Sequence, residues 1–491
     1  MRYFSTRDPE RRTPVTLRHA VLHGLAEDGG LYMPEHIPML SSGFLQHLPE
    51  RSLQEIAFAM LRPFIPGGGA GGAKTGAGRG ADSKPLPQGD SSMSDADLEQ
   101  VLRQTLDFPI PLVPVDSGAY ALELFHGPTL AFKDVGARFM ARLMAHFIRG
   151  ESRELHVLVA TSGDTGGAVA AGFHRVPGIR VWILYPKGKV SALQEKQLTG
   201  WGDNITALEV DGTFDECQAL VKRALADEHL ADRMRLTSAN SINIARLLPQ
   251  SVYYGWAVAQ WLALQADRQG GNPGSSAAGA GSPEMPSVPI GPAISIPSGN
   301  FGNLTAALLA ARAGIPISRL IAATNRNDVV PEFLETGVYR PRPSVRTLSN
   351  AMDVGAPSNY ERLAAMLGQT REAFSTVMSG YAYQDAQVCD TIREVHARTG
   401  YLLDPHGAIG YMGLRAYGAQ RSSGDAPGAA TAPGIFLETA HPIKFRDEVI
   451  DPTGIEPDMP AQAREFLARA KYAIPATSEF SEFKEILSGG L

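Results

Sequence analysis

Lys133 is the residue from which chemistry can be argued first. It stands near the end of Phe125-His126-Gly127-Pro128-Thr129-Leu130-Ala131-Phe132-Lys133-Asp134, an apolar turn shaped by glycine and proline. From Asp134 onward Val135, Phe139, Met140, Leu143, Met144 and Phe147 recur at three- and four-residue steps, the pattern of one buried helix face. The lysine is therefore expected at the start of a helix. Burial penalises an ammonium there, and the partial positive charge of a helix N-terminus acts in the same direction, so the amine should be easily freed. A freed amine suits a Schiff base with an aldehyde cofactor. The stretch equally suits a lysine whose stem packs while its head reaches water, so the rest of the chain must decide.

Two glycine-rich segments bear on that choice. Thr161-Ser162-Gly163-Asp164-Thr165-Gly166-Gly167 follows the apolar run Leu155 to Ala160 and precedes a helical run, Ala168 to Phe173. Pro297-Ser298-Gly299-Asn300-Phe301-Gly302-Asn303 follows Ala293 to Ile296 and opens a helix from Leu304 to Arg312 that stops at Gly314. Segments between a strand end and a helix start expose free N–H groups, which suit a carboxylate or a phosphate. Either could also be only a tight turn with a polar cap. The second does not match the dinucleotide fingerprint. Gly68 to Thr75 approaches the phosphate-loop pattern of nucleotide-binding proteins, but Ala73 stands where the second glycine is needed and no strand precedes it. A phosphate cradle, a second anion loop and a buried lysine together describe a pyridoxal phosphate enzyme acting on an amino acid.

These segments need a sheet to present them. Leu155 to Ala160, Val181 to Tyr185, Ile205 to Val210, Ala293 to Pro297, Leu320 to Thr324 and Ile435 to Glu438 are short apolar runs expected to be buried strands. Helix signals lie between them; Thr213-Phe214-Asp215-Glu216 is a capping box opening a helix to about Leu225. Strand–helix repetition at this spacing predicts an α/β protein with a parallel sheet covered on both faces. Residues 1 to about 64 are expected to be mainly helical, with Thr16 to Leu22 and Ser52 to Leu61 as helices and Leu31 to Pro34 extended. Gly67 to Ser92, Gly270 to Pro292 and Ser422 to Pro433 are poor in apolar residues and are expected to be loop insertions. The tail from Pro460 is expected to be helical and polar. The segments expected as domains are 1–115, 116–250 and 251–491.

Composition narrows the class. A chain of 491 residues exceeds what one core usually serves. Its 45 basic and 51 acidic residues give a net charge of −6, which argues against nucleic acid or an acidic membrane as the main partner. No run is long enough to span a bilayer. Two cysteines, Cys217 and Cys389, fit a reducing cytoplasm rather than a disulfide framework, and neither has a nearby histidine motif of a nucleophile.

The lysine, substrate and phosphate segments resemble those of the threonine synthase family, fold-type II pyridoxal phosphate enzymes related in fold to the tryptophan synthase beta subunit. More matches follow in family order: Tyr3 with Ser5-Thr6-Arg7, Gly24-Leu25-Ala26 with Asp28-Gly29-Gly30-Leu31-Tyr32, Asn240-Ser241-Ile242-Asn243 with Arg246, Asn325 with Asn327-Asp328, and Glu438-Thr439-Ala440-His441-Pro442 with Lys444-Phe445. The chain looks closest to the longer bacterial and fungal branch, which has an extra N-terminal, mainly helical domain ahead of parallel or mixed sheets flanked by helices. The three insertions are not part of the family pattern.

The resemblance implies roles. Lys133 would bind the pyridoxal 5'-phosphate covalently and later move protons. Gly299, Asn300, Phe301, Gly302 and Asn303 would hold its phosphate, and Thr439 would hydrogen-bond the pyridine nitrogen. Ser162, Gly163, Asp164 and Thr165 would face the substrate carboxylate. Lys187, Lys189, Asn243 and Arg246 are candidates for the substrate phosphate, Arg246 favoured for its bidentate fork. His126 would pack near the cofactor; Asp404-Pro405-His406-Gly407 matches the family without a role; no metal is assigned. The implied reaction converts O-phospho-L-homoserine and water to L-threonine and phosphate, in a monomer or a homodimer. The rivals are a phospho-lyase that eliminates without adding water, an amino-acid dehydratase or cysteine-synthase-like enzyme, and a non-enzymatic pyridoxal phosphate-binding protein. Products from phosphohomoserine separate them.

Overall fold

The structure is a computed structural model that describes residues 1–67, 92–268, 291–422 and 434–489. The three segments expected to be insertions therefore lie almost wholly outside the described residues. Thirteen strands are described: β1 (Tyr3–Ser5), β2 (Tyr32–Pro34), β3 (Leu112–Asp116), β4 (Ala119–Glu123), β5 (Leu155–Ala160), β6 (Ile179–Pro186), β7 (Ile205–Asp211), β8 (Arg235–Ser238), β9 (Ala293–Pro297), β10 (Arg319–Thr324), β11 (Met378–Ala382), β12 (Gly434–Glu438) and β13 (Ile474–Thr477). β1 and β2 pair antiparallel in the N-terminal region. The other strands form two sheets, β11-β10-β9-β12-β4-β3 and β13-β7-β6-β5-β8. All pairs are parallel except β3 with β4.

Every residue of β5, β9 and β12 is buried. These are the continuous apolar runs of strands covered on both faces. β8, β11 and β13 are additional to the expected strands; each is an edge strand with some exposed or half-buried positions. The sheets cut across the expected domain segments. The hairpin β3–β4 joins the larger sheet, while β13, from the tail, joins the smaller one. That tail is docked rather than merely polar, since Phe483 and Leu487 of the helix Phe480–Gly489 are buried against the smaller sheet's helices.

In the N-terminal region the helices Leu17–His23 and Leu53–Leu61 form as expected, the second opened by a Ser52–Glu55 capping box. The fully buried Arg362 ties this region to the rest. Its guanidinium donates to the carbonyls of Tyr32, Ser241 and Ile242 and to Asn359. No helix among the described residues is long and apolar enough to cross a membrane.

The helix Lys133–Phe147 packs closely on the helix Asp164–Phe173: a Cβ on Gly172 would lie 3.0 Å from the carbonyl carbon of Ala137. β5, β9 and β12 all deliver their carboxyl ends to one cleft, the usual ligand position in open α/β sheets.

Candidate active site

The lysine turn is built by its own residues. Asp134, buried in the first turn of its helix, accepts from the Thr129 N–H at 2.9 Å and from the Thr129 hydroxyl at 2.7 Å. A Cβ on Gly127 would lie 2.5 Å from Asp134 Oδ2, so only glycine fits there. Leu130 sits at φ 59°, a left-handed conformation rare for a leucine. The turn is then strapped to the chain after β12. Phe132 N donates to Thr439 O at 2.9 Å, and His441 N donates to Leu130 O at 3.0 Å. This short antiparallel bridge sets Lys133 and Thr439 in the same cleft, a cavity of about 710 Å³.

Among the described residues Lys133 Nζ has no hydrogen bond or ion pair; the side chain's remaining accessible surface faces the cavity. Burial lowers its pKa to about 8, opposed by Asp164 and assisted by Lys444 and Arg246. At pH 7 about a tenth of such an amine is free, against well under a thousandth at the ordinary lysine value, and the free amine is what covalent attachment to an aldehyde requires.

The segment after β9 supplies a cradle. Phe301, buried, stands at φ 59° immediately before the helix Gly302–Arg312. The backbone of Met352 passes so close that a Cβ on Gly299 would lie 2.7 Å from its Cα. At Gly302 an added Cβ would meet only Asn359 Nδ2 at 3.4 Å and Ser241 Cβ at 3.5 Å, ordinary contacts. Protein packing therefore does not demand a glycine at 302; an approaching ligand would. Asn303 Oδ1 accepts from the hydroxyls of Tyr253 and Tyr254, each at 2.5 Å, which turns Nδ2 away from them, buried and without a partner. Asn300 holds the segment in place through Ser241 Oγ at 2.5 Å and Ser358 N at 2.5 Å. An orphaned amide donor beside a helix start fits a phosphate. With the Lys133 amine and the Thr439 hydroxyl in the same cavity, the donor set fits pyridoxal phosphate.

The segment after β5 is shaped by Thr161, whose hydroxyl accepts from Gly163 N at 3.0 Å and Gly166 N at 2.9 Å. Gly163 adopts φ 135°, and a Cβ there would collide with the Gln194 amide. Ser162, Asp164 and Thr165 line the cleft, whereas Gly163 does not. The Asp164 carboxylate is already engaged: Lys444 Nζ lies 2.8 Å and Gln194 Nε2 2.9 Å from its Oδ1. Burial would raise the Asp164 pKa, but Lys444 and then Lys133 hold it well below the usual carboxylate range. A carboxylate so occupied positions its loop instead of greeting a substrate carboxylate.

The four residues expected near a substrate phosphate separate. Arg246, almost fully buried, lines the cleft with Nη1 donating to Ala239 O at 2.6 Å and with Nε buried and unpartnered. Burial lowers its pKa to about 10, against the raising effect of Asp134. Lys189 lines the cleft with Nζ on Gly212 O at 3.0 Å. Asn243 is turned away: it caps the helix Ile244–Leu247 through Ala245 N and donates to Val21 O at 2.8 Å. A short amide at a helix start satisfies local backbone first. Lys187 is exposed and does not reach the cleft.

Several site residues had no role in the sequence reading: Lys444, Gln194, Ser241, Arg346, Arg7 and His406. Arg7 reaches the cleft from the N-terminal region, held to Glu361 at 3.1 Å. Behind Thr439 lies a buried acidic group. Glu438 Oε1 and Oε2 and Asp404 Oδ2 have no donor partner, while Asp404 Oδ1 lies 2.6 Å from His406 Nδ1. Burial first, then Asp404 and Glu123, raises the Glu438 pKa well above normal. A proton on Glu438, shared with Asp404, joins one Glu438 oxygen to one Asp404 oxygen. His126 turns to Glu123 at 2.7 Å.

Comparisons with known proteins identify the family and the cofactor class. Residues 106–431 match the family described as pyridoxal-phosphate dependent enzyme, and residues 2–69 match the threonine synthase N terminus. The threonine synthase of Haemophilus influenzae is 40% identical over 94% of this chain and 93% of its own. That of Escherichia coli K12 is 40% identical over 95% of this chain and 94% of its own. A crystal structure of the Escherichia coli threonine synthase gives a TM-score of 0.78 at 35% identity, covering 100% of each chain. One of threonine synthase from Brucella melitensis with pyridoxal phosphate bound gives 0.80 at 33% identity, covering 100% of this chain and 99% of that one.

Proposed function

The chain belongs to the threonine synthases, enzymes that depend on pyridoxal phosphate, and from that premise we propose that its cleft converts O-phospho-L-homoserine and water to L-threonine and phosphate with Lys133 as the cofactor lysine. When bound, pyridoxal phosphate supplies an electron sink for charge developing on the substrate carbons. The chain's residues do the remainder. Gly302, Asn303 and the helix start behind them hold the cofactor phosphate; Thr439 faces the ring. Ser162 and Thr165, at the start of the helix Asp164–Phe173, hold the substrate carboxylate. Arg246 and Lys189 draw the substrate phosphate to one side of the cleft.

The conversion removes a proton from Cα and one from Cβ, expels the γ-phosphate and adds water at Cβ. With a pKa of about 8, Lys133 exists as both amine and ammonium near neutral pH, so it can accept a proton at Cα and return one. The N-terminal turn at Arg7 and Gly29 and the strand of chain from Ser344 to Val354 form the walls that limit stray water. The two free cysteines, one buried and one half-buried, fit a cytoplasmic enzyme.

The observation that carries the reading is the convergence in one cavity of an unpaired lysine amine, an orphaned Asn303 donor and Thr439. The test is product analysis: purified chain plus O-phospho-L-homoserine should release phosphate and threonine in equal amounts. Phosphate accompanied by 2-oxobutyrate and no threonine would replace this reading with that of a phospho-lyase.

A further inference from the structure

Two lysines, not one, stand over a single buried carboxylate in this site. Lys444 is wholly buried, and its Nζ lies 2.8 Å from both Asp164 Oδ1 and Thr129 O. Asp164, on the smaller sheet's side, is thereby clipped to the chain that follows β12 of the larger sheet and to the lysine turn. Gln197 Nε2 joins the same Thr129 carbonyl at 3.0 Å. The second cation acting on Asp164 is Lys133, which has no ion pair of its own among the described residues.

We infer that Lys444 is a positioning residue for the reaction: by occupying the Asp164 carboxylate it prevents that carboxylate from capturing Lys133. A buried, unpaired carboxylate is strongly unfavourable. Without Lys444 the Asp164 carboxylate would be left with Gln194 alone, and the amine that could relieve it is that of Lys133. A captured Lys133 stays an ammonium and is lost as a nucleophile. The charges that face Lys133 are Asp164 from the smaller sheet's helix, Lys444 from the strap after β12, and Arg246 from its short helix. Asp134, next in sequence, is spent on Thr129. With burial they leave Lys133 near 8; deleting Lys444 removes one lowering charge and frees the one raising charge, so both changes push Lys133 up.

This inference rests on Lys133 being the lysine that receives the cofactor. The test follows covalent loading of the cofactor-stripped full chain with pyridoxal phosphate across pH 6 to 10. The free amine attacks the aldehyde carbon, a C=N bond forms and water leaves; borohydride then supplies the hydride that fixes the label for peptide mapping. In the parent the rate should rise with a midpoint near 8. Lys444→Met should move the midpoint up by about one unit, so loading at pH 7 slows about tenfold and recovers at pH 10. Lys444→Met with Asp164→Asn should return the midpoint to the parent value or below, because the capturing carboxylate is gone. Asp164→Asn alone, which keeps Lys444, should lower it. A slowing of Lys444→Met that is the same at every pH overturns the inference, as does a double variant that stays shifted upward or, if Lys444→Met does not fold, an Asp164→Asn midpoint that fails to fall. A label on a lysine other than 133 instead overturns the site reading beneath it.

Discussion

Gly299 and Gly302 lie three residues apart in one turn, and the structure predicts opposite outcomes for adding one methyl group to each. At Gly299 the new Cβ would stand 2.7 Å from the Cα of Met352 and 3.2 Å from its carbonyl carbon. Ordinary carbon contacts are about 3.5–4.0 Å, so the backbone of one wall must retreat by about 1 Å. Overpacking of this kind costs about 1–3 kcal/mol. Gly299→Ala should therefore lower the urea stability of the cofactor-free chain by that amount. At Gly302 the nearest protein atoms are 3.4 and 3.5 Å from the new Cβ, and the residue opens a helix, where alanine is at least as favourable as glycine. Gly302→Ala should leave the cofactor-free chain as stable as the parent or slightly more so. Its methyl group would, however, occupy space left for a ligand beside the Asn303 donor, and pyridoxal phosphate affinity should fall at least about tenfold, equivalent to about 1.4 kcal/mol. The assay is paired: urea unfolding without cofactor, then spectroscopic titration with cofactor. Unchanged affinity in Gly302→Ala would refute the placement of the cofactor phosphate on this turn.

Borohydride reduction of the loaded chain should place the label on Lys133, read by peptide mapping, and Lys133→Ala should abolish both label and turnover. Thr439→Val should keep the cofactor bound, because the turn after β9 and Lys133 remain, yet slow turnover; Thr439→Asp should shift the absorption spectrum and raise oxo-acid by-products. Spectra and product yields identical to the parent in both variants would remove Thr439 from the ring. Glu438 is held protonated by burial, chiefly, and by Asp404 and Glu123, so its folded pKa lies above the ordinary 4.5. The folded chain then holds a proton that the unfolded chain has lost, and stability declines as pH rises above 4.5 towards the folded pKa. Glu438→Gln should erase that decline, so its stability relative to the parent should rise with pH above 4.5, at up to about 1.4 kcal/mol per pH unit until the folded pKa is reached; a pH-independent difference would mean that Glu438 is ionised.

What the sequence revealed, and what it hid, divides by the range of the interactions. β5, β9 and β12 are short apolar runs, and the ends of β5 and β9 carry the glycine-rich segments, so local pattern sufficed to find two sides of the cleft, while the resemblance supplied Thr439 after β12. β8, β11 and β13 are short edge strands with mixed burial, formed by pairing with a neighbour rather than by their own periodicity. The helices Asp164–Phe173 and Gly302–Arg312 start within segments whose glycines suggest turns. A glycine can open a helix when crowding or a ligand excludes a side chain, as Leu198, Thr161 and Ile183 do at Gly166. Asn243 is expected as an anion ligand because Asn240-Ser241-Ile242-Asn243 with Arg246 matches the family, but a helix start claims its side chain. Lys444 shows the deeper limit. Nothing in Pro442-Ile443-Lys444-Phe445 distinguishes a solvated lysine from a buried one. Its partners, Thr129 and Asp164, lie about three hundred residues earlier, and only the bridge between Ala131 and Ala440 brings them within reach. Lys133, proposed as the cofactor lysine, stands out because its own turn is apolar and its motif resembles the family's; Lys444, proposed to guard it, is defined by contacts that exist only once both sheets are assembled.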